Sequence, residues 1–87
     1  MAAIKTTYIP NFLKMEIVNV ELDTDGETYC DVNVNVNEND FLVPAVTYEY
    51  GNDFKKAKKM AQNHAKRYNA EYVEADNFYL WYEEDAN

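Results

Sequence analysis

The sequence contains few of the residues that carry chemistry or interrupt secondary structure. It has one cysteine, one histidine, two glycines and two prolines, and no serine. A single cysteine excludes an internal disulfide and supplies too few ligands for a cysteine-based zinc site. The absence of serine excludes a serine nucleophile. Because glycine and proline are so scarce, most of the chain is expected to lie in regular elements joined by short turns.

Long apolar runs are also missing. Nowhere do about 18 apolar residues follow one another, and the first residues contain no apolar run long enough for a signal peptide. The formal net charge of −8 and the pI near 4.4 disfavour general attraction to nucleic acids or to anionic membranes. We therefore expect a cytoplasmic protein with no membrane partner.

What the chain does contain is enough apolar surface for one small core. Its 87 residues are 47% hydrophobic and include 13 aromatic side chains, which argues against disorder. We expect a single domain over residues 1–87. Residues 1–13 show no clear period, and Pro10 weakens any helix there, so this part is predicted to be an extended arm against the core.

Three strands are predicted in the first half. Apolar and polar residues alternate over 18–22 and over 30–36, as is typical of strands with one buried face. The Asp-Gly pair in "DTDGE" predicts the hairpin turn between them, and "NEND" predicts a second turn. In the third strand, 41–50, the apolar positions change from odd to even beside Pro44, which predicts a bulge or an edge position.

A helix follows, over "FKKAKKMAQNHAKRY". Asn52 or Asp53 is predicted to cap its first turn, and Asn69 to end it. At 100° per residue one apolar stripe forms, and it is made of Phe54, Ala57, Ala61, His64, Ala65 and Tyr68. Residues 71–84 are predicted to form a second hairpin that turns at Asp76-Asn77. The fold class is therefore α+β: an antiparallel sheet of four to five strands, in β-β-β-α-β-β order, with one helix packed across it.

No catalytic or metal site is predicted. "DTDGE" resembles the start of a calcium loop, but its glycine comes too early and the required glutamate is missing. His64 has no histidine or cysteine partner, and Cys30 alternates with valines, so both are interpreted as structural residues. We expect a protein that is not an enzyme and binds no cofactor.

Positive charge is concentrated on the predicted helix, which carries six of the eight basic residues. One hypothesis is a nucleic-acid-binding module that uses this face; its candidate residues are Lys55, Lys56, Lys59, Lys66 and Arg67. Against it, the chain outside 54–68 has 16 acidic and two basic residues, a balance of −14 that repels phosphates. No aromatic residues interleave with the lysines. The alternative is that they pair with nearby acids and solvate the surface.

The polar side of the first two predicted strands offers a second candidate surface. It combines tyrosine, amides and acids, and its residues are Tyr29, Asp31, Asn33, Asn35, Asn19 and Glu21. Such a surface suits a basic protein partner, although it is also what the solvated side of a two-faced sheet looks like. The run 78–82 is apolar on both faces. One face can pack beneath the helix, and the other is expected to be covered by the N-terminal arm, by a second copy or by a partner, with Tyr79 and Trp81 as candidate contacts.

Over residues 28–83, the strand "TYCDVNVNV", the alanine-spaced helix and the hairpin "EYVEADNFYLWYEE" resemble small anti-CRISPR and related anti-defence proteins of bacteriophages. The resemblance is one of size, acidity and element order, and no motif residue carries over. It implies an inhibitor in the host cytoplasm that occupies a basic nucleic-acid channel of a host protein such as a CRISPR effector. Two hypotheses stand beside it: direct nucleic-acid binding through the helix, and a structural or homodimeric accessory domain that pairs through its last strand.

Overall fold

The computed structural model describes residues 3–75, which form a five-stranded sheet with one helix across one face. The elements are β1 (Ile4–Thr7), a 3-10 turn (Phe12–Lys14), β2 (Ile17–Thr24), β3 (Cys30–Glu38), β4 (Phe41–Gly51), α1 (Phe54–Arg67) and β5 (Glu71–Ala75). The predicted α+β class, with one helix packed across a sheet, is confirmed. The turn of the second predicted hairpin, at Asp76-Asn77, lies outside the described residues.

The strand order in the sheet is β1-β4-β3-β2-β5. All neighbouring strands are antiparallel except β2 and β5, which are parallel. Helix α1 returns the chain to the end of the sheet where β4 began, so β5 runs in the same direction as β4 and β2. The sheet is therefore mixed rather than wholly antiparallel. Part of the predicted N-terminal arm is the edge strand β1, which pairs with residues 46–49 of β4.

The core lies between the sheet and α1. The fully buried side chains of the three central strands include Val20, Val32, Val34 and Val46, and α1 covers them with small residues. Its inward face consists of Ala57, Ala61, His64 and Ala65, with Phe54 and Tyr68 half-buried at its ends. The predicted stripe is thus confirmed. Each buried valine contributes on the order of 2 kcal/mol to folding, and the alanines allow the helix to approach the strands closely.

The strand pairing shifts register at three places, between Ile17 and Asn19 of β2 and beside Asp31 and Asn35 of β3. In β2 the pairing with β3 shifts between Ile17 and Asn19, and Val18 is the extra residue. Val18 therefore does not follow the alternation of buried and outward side chains, and it is exposed. The prediction that Val18 shares the buried face was wrong for this reason. In β4, Val46 and Pro44 are two positions apart but oppose consecutive residues of β3. This register shift confirms the predicted bulge at Pro44. The extra residue is Ala45, which is fully buried.

Both ends of α1 are closed as predicted. The Asp53 side chain accepts a hydrogen bond of 3.3 Å from the Lys56 amide. At the other end Asn69 has a φ of 53°, and the Ala70 amide donates to the Ala65 carbonyl at 2.8 Å. This is the left-handed ending that stops helices by satisfying their last carbonyls.

The connection between β2 and β3, residues 25–29, is held by one carboxylate. Asp25 accepts hydrogen bonds from the Thr28 hydroxyl and from the amides of residues 27, 28 and 29. The Thr28 hydroxyl first, and then these amides, hold the pKa of Asp25 well below its usual range. Gly26 supplies the positive φ of 88° that the turn requires. Both carboxylate oxygens of Asp25 accept hydrogen bonds within the turn, in agreement with the hairpin interpretation of "DTDGE".

Candidate functional site

The sheet face opposite α1, called here the outer face, gathers polar side chains from neighbouring strands. Pairing places Glu21 opposite Asn33, Asp23 opposite Asp31, and Asp31 opposite Glu49. The polar members of the outer face are Asn19, Glu21, Asp23, Asp31, Asn33, Asn35, Thr47, Glu49 and Glu71, and Tyr29 stands at its edge. The structure therefore brings together the six residues that the sequence placed on one polar surface.

Amide side chains link the strands of the outer face. Asn33 Nδ2 donates to Glu21 Oε1 at 3.1 Å, and the Thr47 hydroxyl donates to Asn33 Oδ1 at 2.6 Å. One row further along, Asn35 Nδ2 donates to Asn19 Oδ1 at 2.8 Å. Asn33 thus connects β2, β3 and β4 in one network, which holds the carboxylate of Glu21 in place.

Tyr29 makes a hydrogen bond at the far end of the face. Its hydroxyl donates to Glu49 Oε1 of β4 at 2.5 Å, from the residue that precedes β3. This hydrogen bond to a carboxylate, with burial and the charge of Asp31 as further causes, raises the pKa of the Tyr29 phenol. Tyr29 is therefore a neutral donor at any physiological pH, and its ring is fixed beside the acids.

The outer face is negatively charged and has no cation among residues 3–75. Its carboxylates are those of Glu21, Asp23, Asp31, Glu49 and Glu71. Asp31 lies between two of them. Burial, followed by the charges of Glu49 and Asp23, raises the pKa of Asp31 to about 6, and its Oδ1 atom is buried without a hydrogen-bond partner.

The members of the outer face differ in accessibility. Asn35 is only 4% exposed, because it lies in the central strand between Asn19 and the bulge of β4. Its side chain therefore links strands within the sheet. Asp23 and Thr47 are also buried. Glu71 is exposed, and the half-buried members are Asn19, Glu21, Tyr29, Asp31, Asn33 and Glu49. These seven side chains are the accessible part of the outer face.

Sequence reasoning missed four of these members, Asp23, Thr47, Glu49 and Glu71. For three of them the strand period carried the signal: the alternation that identifies positions 19 and 21 continues to 23, and the apolar even positions at the end of β4 put 47 and 49 on the outer face. The position of Glu71 depends on the parallel pairing of β5 with β2. The predicted aromatic contacts Tyr79 and Trp81 lie outside the described residues.

The lysine-rich helix lies on the opposite side of the sheet. The candidate cations of the alternative hypothesis, Lys55, Lys56, Lys59, Lys66 and Arg67, are all exposed. Lys58 Nζ lies 3.6 Å from Glu74 Oε2 on β5, and because both side chains are exposed this ion pair contributes little to stability. The exposed cations of α1 thus lie on the side of the sheet opposite the five carboxylates of the outer face, and Glu74 is an acid on the helix side.

His64 and Cys30 are packed between α1 and the sheet. The His64 ring stacks on Tyr48 at a centroid distance of 4.9 Å and on Tyr68 at 6.1 Å. Burial, and then the charge of Arg67, lowers the pKa of His64, and its Nε2 atom has no hydrogen-bond partner. Cys30 donates its thiol hydrogen to the Gly51 carbonyl at 3.2 Å. Burial is the main cause that raises the pKa of the thiol to about 11.

Within residues 3–75 no group of three or more histidine, cysteine or acidic side chains is arranged to hold a metal ion. The 14-residue α1, the longest helix in that range, is too short and too polar to cross a membrane. Comparison of the chain with protein-family models, with curated protein sequences and with solved structures finds no match.

Proposed function

We propose that this chain is a non-enzymatic acidic binding protein that blocks a basic, nucleic-acid-binding surface of another protein by direct contact. The observation that supports this most is the segregation of charge. The outer face combines five carboxylates with no cation among residues 3–75, while the exposed lysines lie on the opposite side. A partner lined with lysine and arginine meets complementary charge on one side only, which favours fast and oriented association.

The mechanism is competition for a phosphate-binding surface. Neighbouring strands lie about 5 Å apart, and pairing sets Asp23, Asp31 and Glu49 in one row across three of them, so the sheet offers a dense row of negative charge. The hydrogen bonds of Asn33 and Tyr29 fix Glu21 and Glu49 before any partner arrives. Little side-chain freedom is then lost on binding, which improves affinity.

The particular form of this proposal is a phage-encoded inhibitor of a host defence system, of the anti-CRISPR type, that acts in the host cytoplasm on a CRISPR effector or a similar protein. It rests on the resemblance in size, acidity and element order. The proposal that the protein is not an enzyme is supported by Cys30 and His64, which are buried in the core away from the outer face.

The experiment is capture of proteins from bacterial lysate on the tagged chain, with and without nuclease, read by mass spectrometry. We expect a nuclease-resistant catch of a basic nucleic-acid-handling protein. The double variant Glu21→Gln, Glu49→Gln should reduce the affinity for that protein by about tenfold, because both substitutions keep the side-chain shape and remove charge. Equal capture by this variant and the unaltered chain contradicts the outer-face mechanism.

The matched control is the double variant Glu16→Gln, Glu27→Gln. Both of these carboxylates are exposed and neither belongs to the set that defines the outer face, and the net charge changes by the same amount. The control is expected to capture the partner as the unaltered chain does. Equal weakening by both double variants would show that total charge, rather than the outer face, drives binding.

The exposed basic residues of α1 favour one competing function, direct binding of nucleic acid. It predicts retardation of RNA or DNA in a gel at low salt, weakening as salt rises and lost when Lys55, Lys59 and Lys66 are changed to glutamine. Absence of retardation at low salt would exclude it.

A further inference from the structure

A second surface feature lies at the end of the sheet where β3 turns into β4. Here the chain segment after β1 runs beside the β3–β4 hairpin, and between them is a shallow apolar groove of about 490 Å³. We call it the hairpin groove, and it is lined by Tyr8, Ile9, Glu38, Asn39, Phe41, Val43 and Pro44. None of these residues belongs to the polar set of the outer face.

The walls of the hairpin groove are large apolar side chains in contact with solvent. Phe41 is 70% exposed and Tyr8 is 58% exposed, while Ile9 and Val43 are half-buried and form the floor. Scattered exposed apolar residues are ordinary, but two aromatic rings on either side of a concave apolar surface are typical of a contact site.

Backbone hydrogen bonds and turn geometry fix both walls. The turn residues Asn39 and Asp40 have φ values of 52° and 69°, as in the two-residue turn that suits tightly twisted hairpins. On the other side the amides of Tyr8 and Ile9 both donate to the Ala45 carbonyl, at 3.0 and 3.2 Å. The groove is therefore preformed, which lowers the entropic cost of filling it.

The charge around the hairpin groove restricts what can fill it. Glu38 lines the groove and Asp40 stands at the turn, and both are exposed. These acids repel phosphates of nucleic acids and anionic membranes, and a second copy of the chain would bring another net charge of −8. They attract lysine and arginine. An apolar side chain flanked by basic residues complements both the aromatic walls and the acidic rim.

The groove lies at the end of the sheet and mainly on its α1 side. Val43 opposes the buried core residue Val36 and Phe41 opposes Glu38, whereas Pro44 opposes Asn35 of the outer face. A basic protein seated on the outer face would reach the groove with a segment that passes around the β3–β4 end of the sheet.

We propose that the hairpin groove binds an apolar side chain of a basic segment of the partner protein, with Glu38 and Asp40 pairing with lysine or arginine beside it. This inference rests on the proposed function, since it assigns a second point of contact to the same partner. The outer face then supplies charge complementarity, and the groove supplies the apolar anchor that holds the complex.

The test is an NMR titration of the ¹⁵N-labelled full chain with synthetic peptides. The probe peptide carries a central Leu-Phe pair flanked by lysines and arginines; in a second peptide serines replace Leu-Phe, and in a third glutamates replace the basic residues. We expect the probe to shift amide resonances of groove residues such as Ile9 and Val43, and each altered peptide to bind about tenfold more weakly or not at all.

Phe41→Ser is the decisive variant, because it removes one wall of the groove at an exposed position where folding is not at risk. It should abolish the groove shifts and weaken capture of the partner from lysate. Leu13→Ser is the matched control, since Leu13 is also 70% exposed and does not line the groove. Leu13→Ser should leave both readouts unchanged.

Four results would overturn the inference: equal binding of the serine peptide, unchanged binding by Phe41→Ser, a dimer that Phe41→Ser dissociates, or binding of the chain to phosphatidylcholine vesicles. The proposal for the outer face is tested separately, because Glu21→Gln, Glu49→Gln alters another surface. If Phe41→Ser captures the partner normally and the double variant captures less of it, the groove proposal is wrong and the outer-face proposal stands.

Discussion

At the scale of single residues, Asp31 is an electrostatically costly member of the outer face. It lies between Asp23 and Glu49, and its Oδ1 atom is buried without a hydrogen-bond partner. Each of these circumstances favours the protonated carboxyl in the folded chain. The charge that suits a basic partner is therefore maintained at the expense of stability.

Asp31→Asn is expected to stabilise the protein at neutral pH. The carboxyl has a pKa of about 6 in the folded chain against its ordinary 3.8, so the folded state holds the proton more tightly. Stability therefore falls as pH rises from about 4 to about 6 and stays lower above that. The shift corresponds to about 3 kcal/mol without screening, and we expect about 1 to 2 kcal/mol for a half-exposed carboxyl.

Urea unfolding of Asp31→Asn at pH 4 and pH 7.5 measures this effect. Glu27→Gln is the control, because it removes the same charge from an exposed loop. Lower stability of Asp31→Asn than of Glu27→Gln at pH 7.5 would show that the Asp31 carboxylate has a stabilising partner.

His64 produces the opposite pH dependence. Its pKa is lowered in the folded chain, so the unfolded chain takes up the proton first as pH falls below the ordinary value of 6.5. Stability is therefore complete above pH 6.5 and declines below it. His64→Phe keeps an aromatic ring between Tyr48 and Tyr68 without a titrating group, and we expect it to be more stable than the unaltered chain at pH 5.

Two variants separate titration from stacking at this position. His64→Gln does not titrate but loses both ring contacts, so it should show the same loss of pH dependence with lower stability at every pH. Thermal unfolding between pH 5 and 8 measures both properties. A pH dependence of His64→Phe equal to that of the unaltered chain would mean that the pKa of His64 is the same in the folded and the unfolded chain.

At the scale of elements, periodicity decided what could be predicted. The strand β3 and the helix α1 have long, regular patterns, and both were predicted with their buried faces. The strand β1 was not predicted, because its four residues have no period and its place depends on pairing with distant residues 46–49. The parallel pairing of β5 with β2 follows from the crossover of α1. The pattern of residues within β5 does not indicate which strand it pairs with.

The same reasoning applies to the candidate surfaces. The strand period placed Glu21, Asp31 and Asn33 on one face, but the burial of Asn35 depends on the bulge in the neighbouring strand. The hairpin groove could not be predicted at all. It exists because residues 8 and 9 meet the β3–β4 hairpin through the Ala45 carbonyl, a contact between segments about 35 residues apart.

The N-terminal cap of α1 gives a prediction at this scale. Asp53→Ala removes the acceptor of the Lys56 amide and should lower the free energy of unfolding by about 1 kcal/mol. Asp53→Asn keeps a side-chain oxygen at the cap and should retain most of the stability. Chemical denaturation compares the three proteins, and an Asp53→Ala variant as stable as Asp53→Asn would contradict a role for this hydrogen bond.

At the scale of the whole molecule, the fold separates the two kinds of charge. Packing of α1 on one face of the sheet directs its lysines away from the acidic outer face. The net charge of −8 therefore understates how acidic the outer face is. A basic partner would approach from that side, and its association rate should fall as salt rises.

The central claim is that the outer face and a nucleic acid compete for the same surface of the partner. The most direct measurement is fluorescence anisotropy of a labelled nucleic acid bound to the captured partner, as the chain is added. We predict stoichiometric release of the nucleic acid, with about tenfold more protein required for Glu21→Gln, Glu49→Gln. A ternary complex in which the nucleic acid stays bound, or equal release by that variant, would contradict it.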